Sequence, residues 1–344
     1  MTSSRFIGSA NFGFAQYAQE EIRRLFPGVK FRYLEAGEVF LIDAPAPAEE
    51  VTAALLEHEP IFLRHIQPVQ HELPLGKTAD DLMRLIQFMQ ELRPFAAGEK
   101  VAVQARKVKE VKFAYTPFGV KDALDPILEQ EQSVEPVVRG ADKIISVYLT
   151  DGTCYFGIST PYENLSDWNG GMVRYRKEEE QVSRAKFKLL EAEERFHLDL
   201  SQFRSALDIG AAPGGWTSLL LERDLQVTAV DPGALHPSLS GHPNLTILQK
   251  NAGDVVFAEG AFDLLVCDMS WSPKQMSKLV AELLPALETG GVAVITVKLM
   301  HKKPFQTVRE TLENLEPQLV LLKAKQLFHN REELTLYLMK EEEL

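Results

Sequence analysis

With 344 residues the chain exceeds one average domain and falls short of three, and 45% hydrophobic with 25% charged residues excludes long disorder, collagen-like sequence and coiled coil. A net charge of -12 sets the average surface against a phosphate backbone, so only local basic patches can serve nucleic acid. No stretch reaches the roughly 18 apolar residues of a membrane span, and Met1 to Ala10 has neither the charge pattern nor the cleavage site of a leader, so the expected location is the cytoplasm.

From the first residues the pattern reads RFIGSA as a strand, a helix with Phe14, Ala18, Ile22 and Leu25 on one face, strands FRYLE and EVFLI, a helix from Ala48 to Glu57, and a strand IFLRHIQ. This βαββαβ order predicts a ferredoxin-like layer of two helices on a sheet over residues 1–70. A helix from Asp80 to Leu92, strand VAVQA, a helix from Lys121 to Glu131, and the runs IISVYLT and CYFGIST around Asp151-Gly152 follow, the last two as a hairpin. Residues 161–171, rich in Pro, Asn, Ser and Gly, form a connector, which divides the chain into 1–70, 71–170 and 171–344.

Beyond a charged helix from Glu178 to Phe196, strands alternate with helices: SALDIG, a helix from Gly215, QVTAVD, NLTILQ, FDLLVCD, a helix from Lys274 to Leu287, GVAVITVK, a helix after Pro304, then QLVLLKAKQLF and ELTLYLM. The prediction is an α/β, Rossmann-like domain with a mainly parallel seven-stranded sheet, closed at one edge by an antiparallel hairpin. Ligands of such sheets bind at the carboxyl ends of the strands. The two cysteines, Cys154 and Cys267, lie in apolar strands and suit buried thiols; no metal site is expected. The Glu341-Glu342-Glu343 tail reads as a solvated terminus.

The segment Ala206-Leu-Asp208-Ile-Gly210-Ala-Ala-Pro213-Gly214-Gly215-Trp216-Thr217 ends a buried strand in a turn of small residues against which a ligand can lie. Gly210 is followed by Ala-Ala-Pro-Gly-Gly, so the dinucleotide fingerprint is absent, and Asp231, about twenty residues on, is placed to accept two ribose hydroxyls. An adenosyl ligand fits both. LDIGAAPGGWT resembles the S-adenosylmethionine loop of the FtsJ-like ribose 2′-O-methyltransferases. The resemblance implies that Asp208, Gly210, Ala211, Pro213, Gly214, Gly215 and Trp216 surround the methionine part of S-adenosyl-L-methionine, with Asp231 on the ribose and Asn251 at the adenine. Many relatives carry Asp in that last position; an Asn carbonyl can still accept from the adenine amino group.

The same resemblance implies a catalytic Lys-Asp-Lys-Glu tetrad, matched in order by Lys188, Asp268, Lys298 and Glu333, with Glu332 an alternative for the last; Asp268 also borders the cofactor. A ribose hydroxyl must lose its proton as it attacks a methyl sulfonium. Lys298 is the candidate base, its pKa expected to be lowered by burial and by Lys188, while Asp268 orients the lysine and the hydroxyl and Glu333 holds the ribose and Lys188. Two other acceptors fit less well. Base-amine methylation expects Pro-Pro and an aromatic after the strand-end Asn or Asp, where this chain has Asp268-Met269-Ser270-Trp271. Carbon-5 methylation needs a cysteine, and Cys267, adjacent to Asp268, points to the opposite sheet face.

The stretch from Glu72 to Thr160 resembles a THUMP domain, an RNA-binding module, in VAVQARKVKEVKF, GVKDALDPILE and IISVYLTDGTCYFGIST. Lys109, Lys112 and Lys121 become candidate RNA contacts and Phe113 and Tyr115 candidate stacking groups, the alternative being that these aromatics are core. Further basic clusters lie at Arg106-Lys107, Arg174-Arg176-Lys177, Arg184-Lys186-Lys188 and Lys298-Lys302-Lys303, each readable as a solvated face. Ferredoxin-like, THUMP and FtsJ-like domains in this order resemble enzymes that methylate a cytidine ribose in 23S rRNA. The partner implied is RNA, with neither DNA nor a membrane. An idle RNA-binding or assembly factor on the same fold, and a THUMP-type tRNA base methyltransferase, remain the alternatives.

Overall fold

The computed structural model describes residues 3–176, 181–299, 303–316 and 318–341. The chain divides into two compact units, Met1–Val173 and Arg174–Leu344. No described helix is long and apolar enough to cross a membrane.

In the first unit, β1 (Ser4–Ser9), α1 (Ala15–Leu25), β2 (Lys30–Glu35), β3 (Val39–Ala44), α2 (Ala48–Glu57) and β4 (His65–Pro68) build an antiparallel sheet of order β2-β3-β1-β4. Helix α1 buries Ala15, Ala18 and Ile22, and α2 buries Val51 and Leu55. β4 starts at His65, later than the apolar run predicts. The Glu21 carboxylate accepts the N–H groups of Ile61 (2.7 Å) and Phe62 (2.9 Å), so these donors are satisfied outside a ladder. The Phe62 ring stacks on Phe14.

A second sheet comprises β5 (His71–Pro74), β6 (Lys100–Lys107), β7 (Glu135–Pro136), β8 (Lys143–Leu149) and β9 (Thr153–Ser159), in the order β5-β9-β8-β6-β7, with α3 (Asp80–Leu92) and α4 (Pro117–Gln132) packed on it. The β8–β9 hairpin forms at Asp151-Gly152 as expected. Helix α4 begins four residues before the expected Lys121, because the Thr116 hydroxyl accepts the Gly119 N–H (3.0 Å) and Pro117 occupies the first turn. Strand β5 was not anticipated: four residues ending in proline carry little periodic signal, and a sheet edge tolerates the missing donor. The two sheets are tied by Arg106, which donates to the Ser9 hydroxyl and Gln67 (both 2.9 Å), and by Tyr148, which donates to Glu35 (2.7 Å).

The second unit contains α5 (Lys186–Phe196), β10 (Ser205–Ile209), α6 (Gly215–Glu222), β11 (Gln226–Val230), β12 (Leu245–Leu248), β13 (Phe262–Cys267), α7 (Pro273–Leu283), β14 (Leu287–Lys298), α8 (Pro304–Leu315), β15 (Leu319–Lys325) and β16 (Glu333–Lys340). The strand order is β12-β11-β10-β13-β14-β16-β15, parallel from β12 to β14, with β16 inserted antiparallel between β14 and β15. Leu264, Val266 and Val294 pack with Leu189, Phe196 and Leu220 from α5 and α6, while the alternate residues Leu265, Cys267 and Ile295 are equally buried on the opposite face. Both faces are covered, as near-continuous apolar strands require.

Two helix limits differ from expectation. Helix α5 starts at Lys186 after a turn in which the Ser183 hydroxyl accepts the Ala185 N–H (3.1 Å); the predicted start at Glu178 lies outside the described residues. Helix α7 stops at Leu283, and a short turn through Pro285 lets Leu287 join β14 opposite Phe262. A proline here cannot donate to the helix, which ends the run that Leu287 would otherwise continue.

Candidate active site

The loop after β10 lies at the carboxyl edge of the sheet. Gly210 (φ 75°) and Gly214 (φ 111°) occupy backbone conformations that favour glycine, and Met269 packs so close to Gly210 that a Cβ there would sit 2.5 Å from Met269 Cγ. The Gly210 N–H donates to Val230 O (3.0 Å), joining the loop to the end of β11. Asp231, just beyond, accepts the N–H groups of Ala212 (3.2 Å) and Gly233 (2.6 Å) and stays half-exposed. Asn251 is exposed at the start of the turn after β12, its amide nitrogen donating to Asp254 (3.3 Å).

Asp208 is buried and accepts the Thr217 hydroxyl (2.6 Å). Burial, reinforced by the charges of Asp268 and Asp231 and opposed by the Thr217 hydrogen bond, pushes its carboxyl up to about 7. Three carboxylates thus surround the loop, a donor set suited to a ligand carrying positive charge. Trp216 differs from the expectation that it lines the cofactor: its side chain is in the core, and its indole N–H donates to Ala185 O (2.8 Å). It braces the segment leading to α5 instead.

Lys188, Asp268, Lys298 and Glu333 come together at the same edge. Lys188 Nζ lies 3.0 Å from both Asp268 oxygens and 2.7 Å from Glu333 Oε1, and Lys298 Nζ donates to Glu333 Oε2. Strand register fixes the last pair, because Lys298 ends β14 directly opposite Glu333 at the start of β16. Exposed Glu332 instead presents its backbone carbonyl to the Leu299 N–H (2.8 Å). The expected division of labour needs correcting: Asp268 orients Lys188 rather than Lys298, and Glu333 touches both lysines. Burial works against the Lys188 ammonium, but the charges of Asp268 and Glu333 and their hydrogen bonds raise its pKa; burial raises that of Glu333, and Lys188 and Lys298 reverse this and lower it. Cys267 is fully buried, and burial pushes its thiol far up, which removes it as a nucleophile.

Residues 181–320 match the family model of FtsJ-like methyltransferases. By this match the segment is similar to FtsJ-like methyltransferase domains. The chain is 37% identical over 183 residues to the ribosomal RNA large subunit methyltransferase M of Laribacter hongkongensis, covering 50% of this chain and 51% of that protein. It is 35% identical over 230 residues to the protein of the same name from Xylella fastidiosa, covering 64% of each. The chain therefore spans about half to under two thirds of the length of these relatives. Among solved structures, TrmN from Thermus thermophilus is similar over 98% of this chain and 99% of that one, at 17% identity and a TM-score of 0.42.

Two residues of the FtsJ-like domain escaped the sequence reading. The Thr296 hydroxyl donates to Asp268 Oδ1 (2.7 Å); it lies two positions before Lys298, on the same face of β14, and strand periodicity alone could have flagged it. Glu191, one turn beyond Lys188 on α5, accepts the N–H groups of Phe328 (2.7 Å) and His329 (2.9 Å) in the loop leading to β16. It fastens the helix carrying Lys188 to the strand carrying Glu333. Glu191→Ala should destabilise the protein by about 2 kcal/mol, since two charge-assisted bonds go and part-buried donors remain; urea unfolding measures it, and a change under about 0.5 kcal/mol would contradict the role.

The basic and aromatic candidates of the first unit are mostly engaged internally. Lys109 pairs with Glu38 (2.7 Å) and Glu35 (3.4 Å), Lys121 with Asp125, and Lys107 donates to the Val111 carbonyl (2.7 Å). Phe113 and Tyr115 pack against the core, Tyr115 donating to Asp81 (2.9 Å), so a stacking role is not what their side chains offer. Lys112 remains exposed, as do Arg174, Arg176, Arg184 and Lys303; Lys177 and Lys302 lie outside the described residues. Lys186 is buried and pairs with Glu222 (2.8 Å).

Proposed function

We propose that the FtsJ-like domain transfers a methyl group from S-adenosylmethionine to a ribose 2′-hydroxyl of RNA, and that the whole chain acts on large-subunit (23S) rRNA in the cytoplasm. The observation that carries this reading is the bonded set Lys188, Asp268, Lys298 and Glu333 beside a loop ringed by carboxylates. The names of the relatives support the RNA class. Residues 1–70 and 71–170 serve as ferredoxin-like and THUMP-like modules that bring RNA, with Lys112 the exposed basic residue among the candidates there, and residues 171–344 carry the chemistry.

The cofactor supplies an electrophilic methyl group on a sulfonium. Asp208, Gly210, Ala211, Pro213, Gly214, Gly215 and the backbone of Trp216 hold its methionine part, Asp231 the ribose and Asn251 the adenine. Asp208 in its ionised form answers the positive charge. Lys298 Nζ takes the proton of the attacking hydroxyl; its side chain is 29% exposed, so that proton can pass on to solvent. Lys188 stays charged, and with Asp268 and Glu333 it fixes the hydroxyl and Lys298 in line with the donor.

The test uses protein-free large-subunit rRNA from cells lacking this protein, incubated with the full chain and isotope-labelled S-adenosylmethionine. Nucleoside mass spectrometry should find the label on a ribose 2′-oxygen. Label on a base, or none, would overturn the proposal.

A further inference from the structure

The carboxyl edge beside Asp268 carries a feature that the chemistry above does not use. Trp271, three residues beyond Asp268, is 44% exposed and so presents its indole to solvent at the edge that carries the tetrad. It precedes Ser272, whose hydroxyl accepts the Gln275 N–H (3.4 Å) and starts α7, so the residue stands between the strand end and the helix. Lys274 and Lys278 follow on the exposed side of α7, one turn apart, whereas Met276, Leu279, Val280 and Leu283 face the core. Neither lysine forms an ion pair among the described residues, although Glu282 lies one turn further on.

We infer that Trp271, Lys274 and Lys278 form a landing surface for single-stranded RNA flanking the nucleotide whose ribose enters the tetrad. An indole face offers stacking to any base, and two unneutralised ammonium groups in a row suit successive phosphates. In a chain of net charge -12, such a row next to an exposed indole favours a polyanion with planar groups over a protein partner. The inference rests on the reading of the domain as an RNA methyltransferase and adds where the strand is gripped.

The chain has three tryptophans; Trp216 is buried and Trp168 is stacked under Arg139, which leaves Trp271 as the reporter. A mixed-sequence single-stranded RNA oligonucleotide should quench the emission of the full chain, and Trp271→Phe should abolish the quench while keeping most affinity. Trp271→Ala should weaken RNA binding about 10-fold, and Lys274→Gln with Lys278→Gln should reduce the slope of log affinity against log salt by about 1.4. In methylation of the rRNA substrate, Trp271→Ala should raise KM with little loss of kcat, and Trp271→Phe should restore KM. Calorimetry with S-adenosylhomocysteine should show cofactor binding unchanged in all three variants. Unchanged quenching in Trp271→Phe, or parental affinity and salt slope in the other variants, would overturn the surface. Quenching and salt slopes as expected without ribose methylation by the parent would overturn the enzymatic reading and leave the RNA surface standing.

Discussion

Replacing Lys298 with alanine should slow methyl transfer by at least about 100-fold, the loss typical of removing a general base, while leaving S-adenosylmethionine affinity nearly intact. The fold should survive, because Glu333 keeps its bond to Lys188 and no buried charge is left alone. Lys298→Arg preserves positive charge beside Glu333 but cannot accept a proton, since a guanidinium stays protonated at any workable pH, so it should not rescue. Single-turnover measurement separates the chemical step from product release. An arginine variant near the parental rate would remove Lys298 from proton transfer and leave it an electrostatic part.

That pairing of Lys298 with Glu333 also shows what a sequence can reveal. Both residues sit at strand ends that apolar patterning marks clearly, so their arrival at one edge follows from strand order. The choice between Glu332 and Glu333 does not: a one-residue slip exchanges the faces of a strand, and only the β14–β16 register decides it. Long-range side-chain contacts were hidden for a related reason. Glu21 capping residues 61 and 62, and Glu191 capping residues 328 and 329, join positions far apart in sequence through backbone donors that carry no residue signature. Basic clusters mislead in the opposite direction. Lys109 and Lys121 look free in sequence, and their partners Glu35, Glu38 and Asp125 become visible only once strands and helix turns are laid side by side. Trp216, which the loop string places with the ligand, lies in the first turn of α6, where its ring belongs to the core.

Asp208 should make cofactor binding release a proton near neutrality. Its carboxyl, pushed up to about 7 by burial and by its acidic neighbours, is partly protonated at pH 7 in the free protein, against about 3.9 in an unfolded chain. The folded state therefore holds the extra proton between these values, and this group's contribution to stability falls as pH rises from about 4 to about 7, then levels off. A bound sulfonium or ammonium charge favours the ionised form and expels the proton. Calorimetry at pH 7 in buffers of different ionisation enthalpy should then register release of up to one proton, and S-adenosylmethionine should bind more tightly at pH 8 than at pH 6. Asp208→Asn keeps the shape and an acceptor for the Thr217 hydroxyl but carries no charge. It should abolish the proton release, flatten stability across the window from pH 4 to pH 7 and weaken S-adenosylmethionine binding about 50-fold, the loss expected of a charge-assisted contact worth about 2–3 kcal/mol. S-adenosylhomocysteine, which lacks the sulfonium, should lose less affinity in the same variant. Equal losses for the two compounds would place the sulfonium away from Asp208, and proton release persisting in Asp208→Asn would assign it to another group.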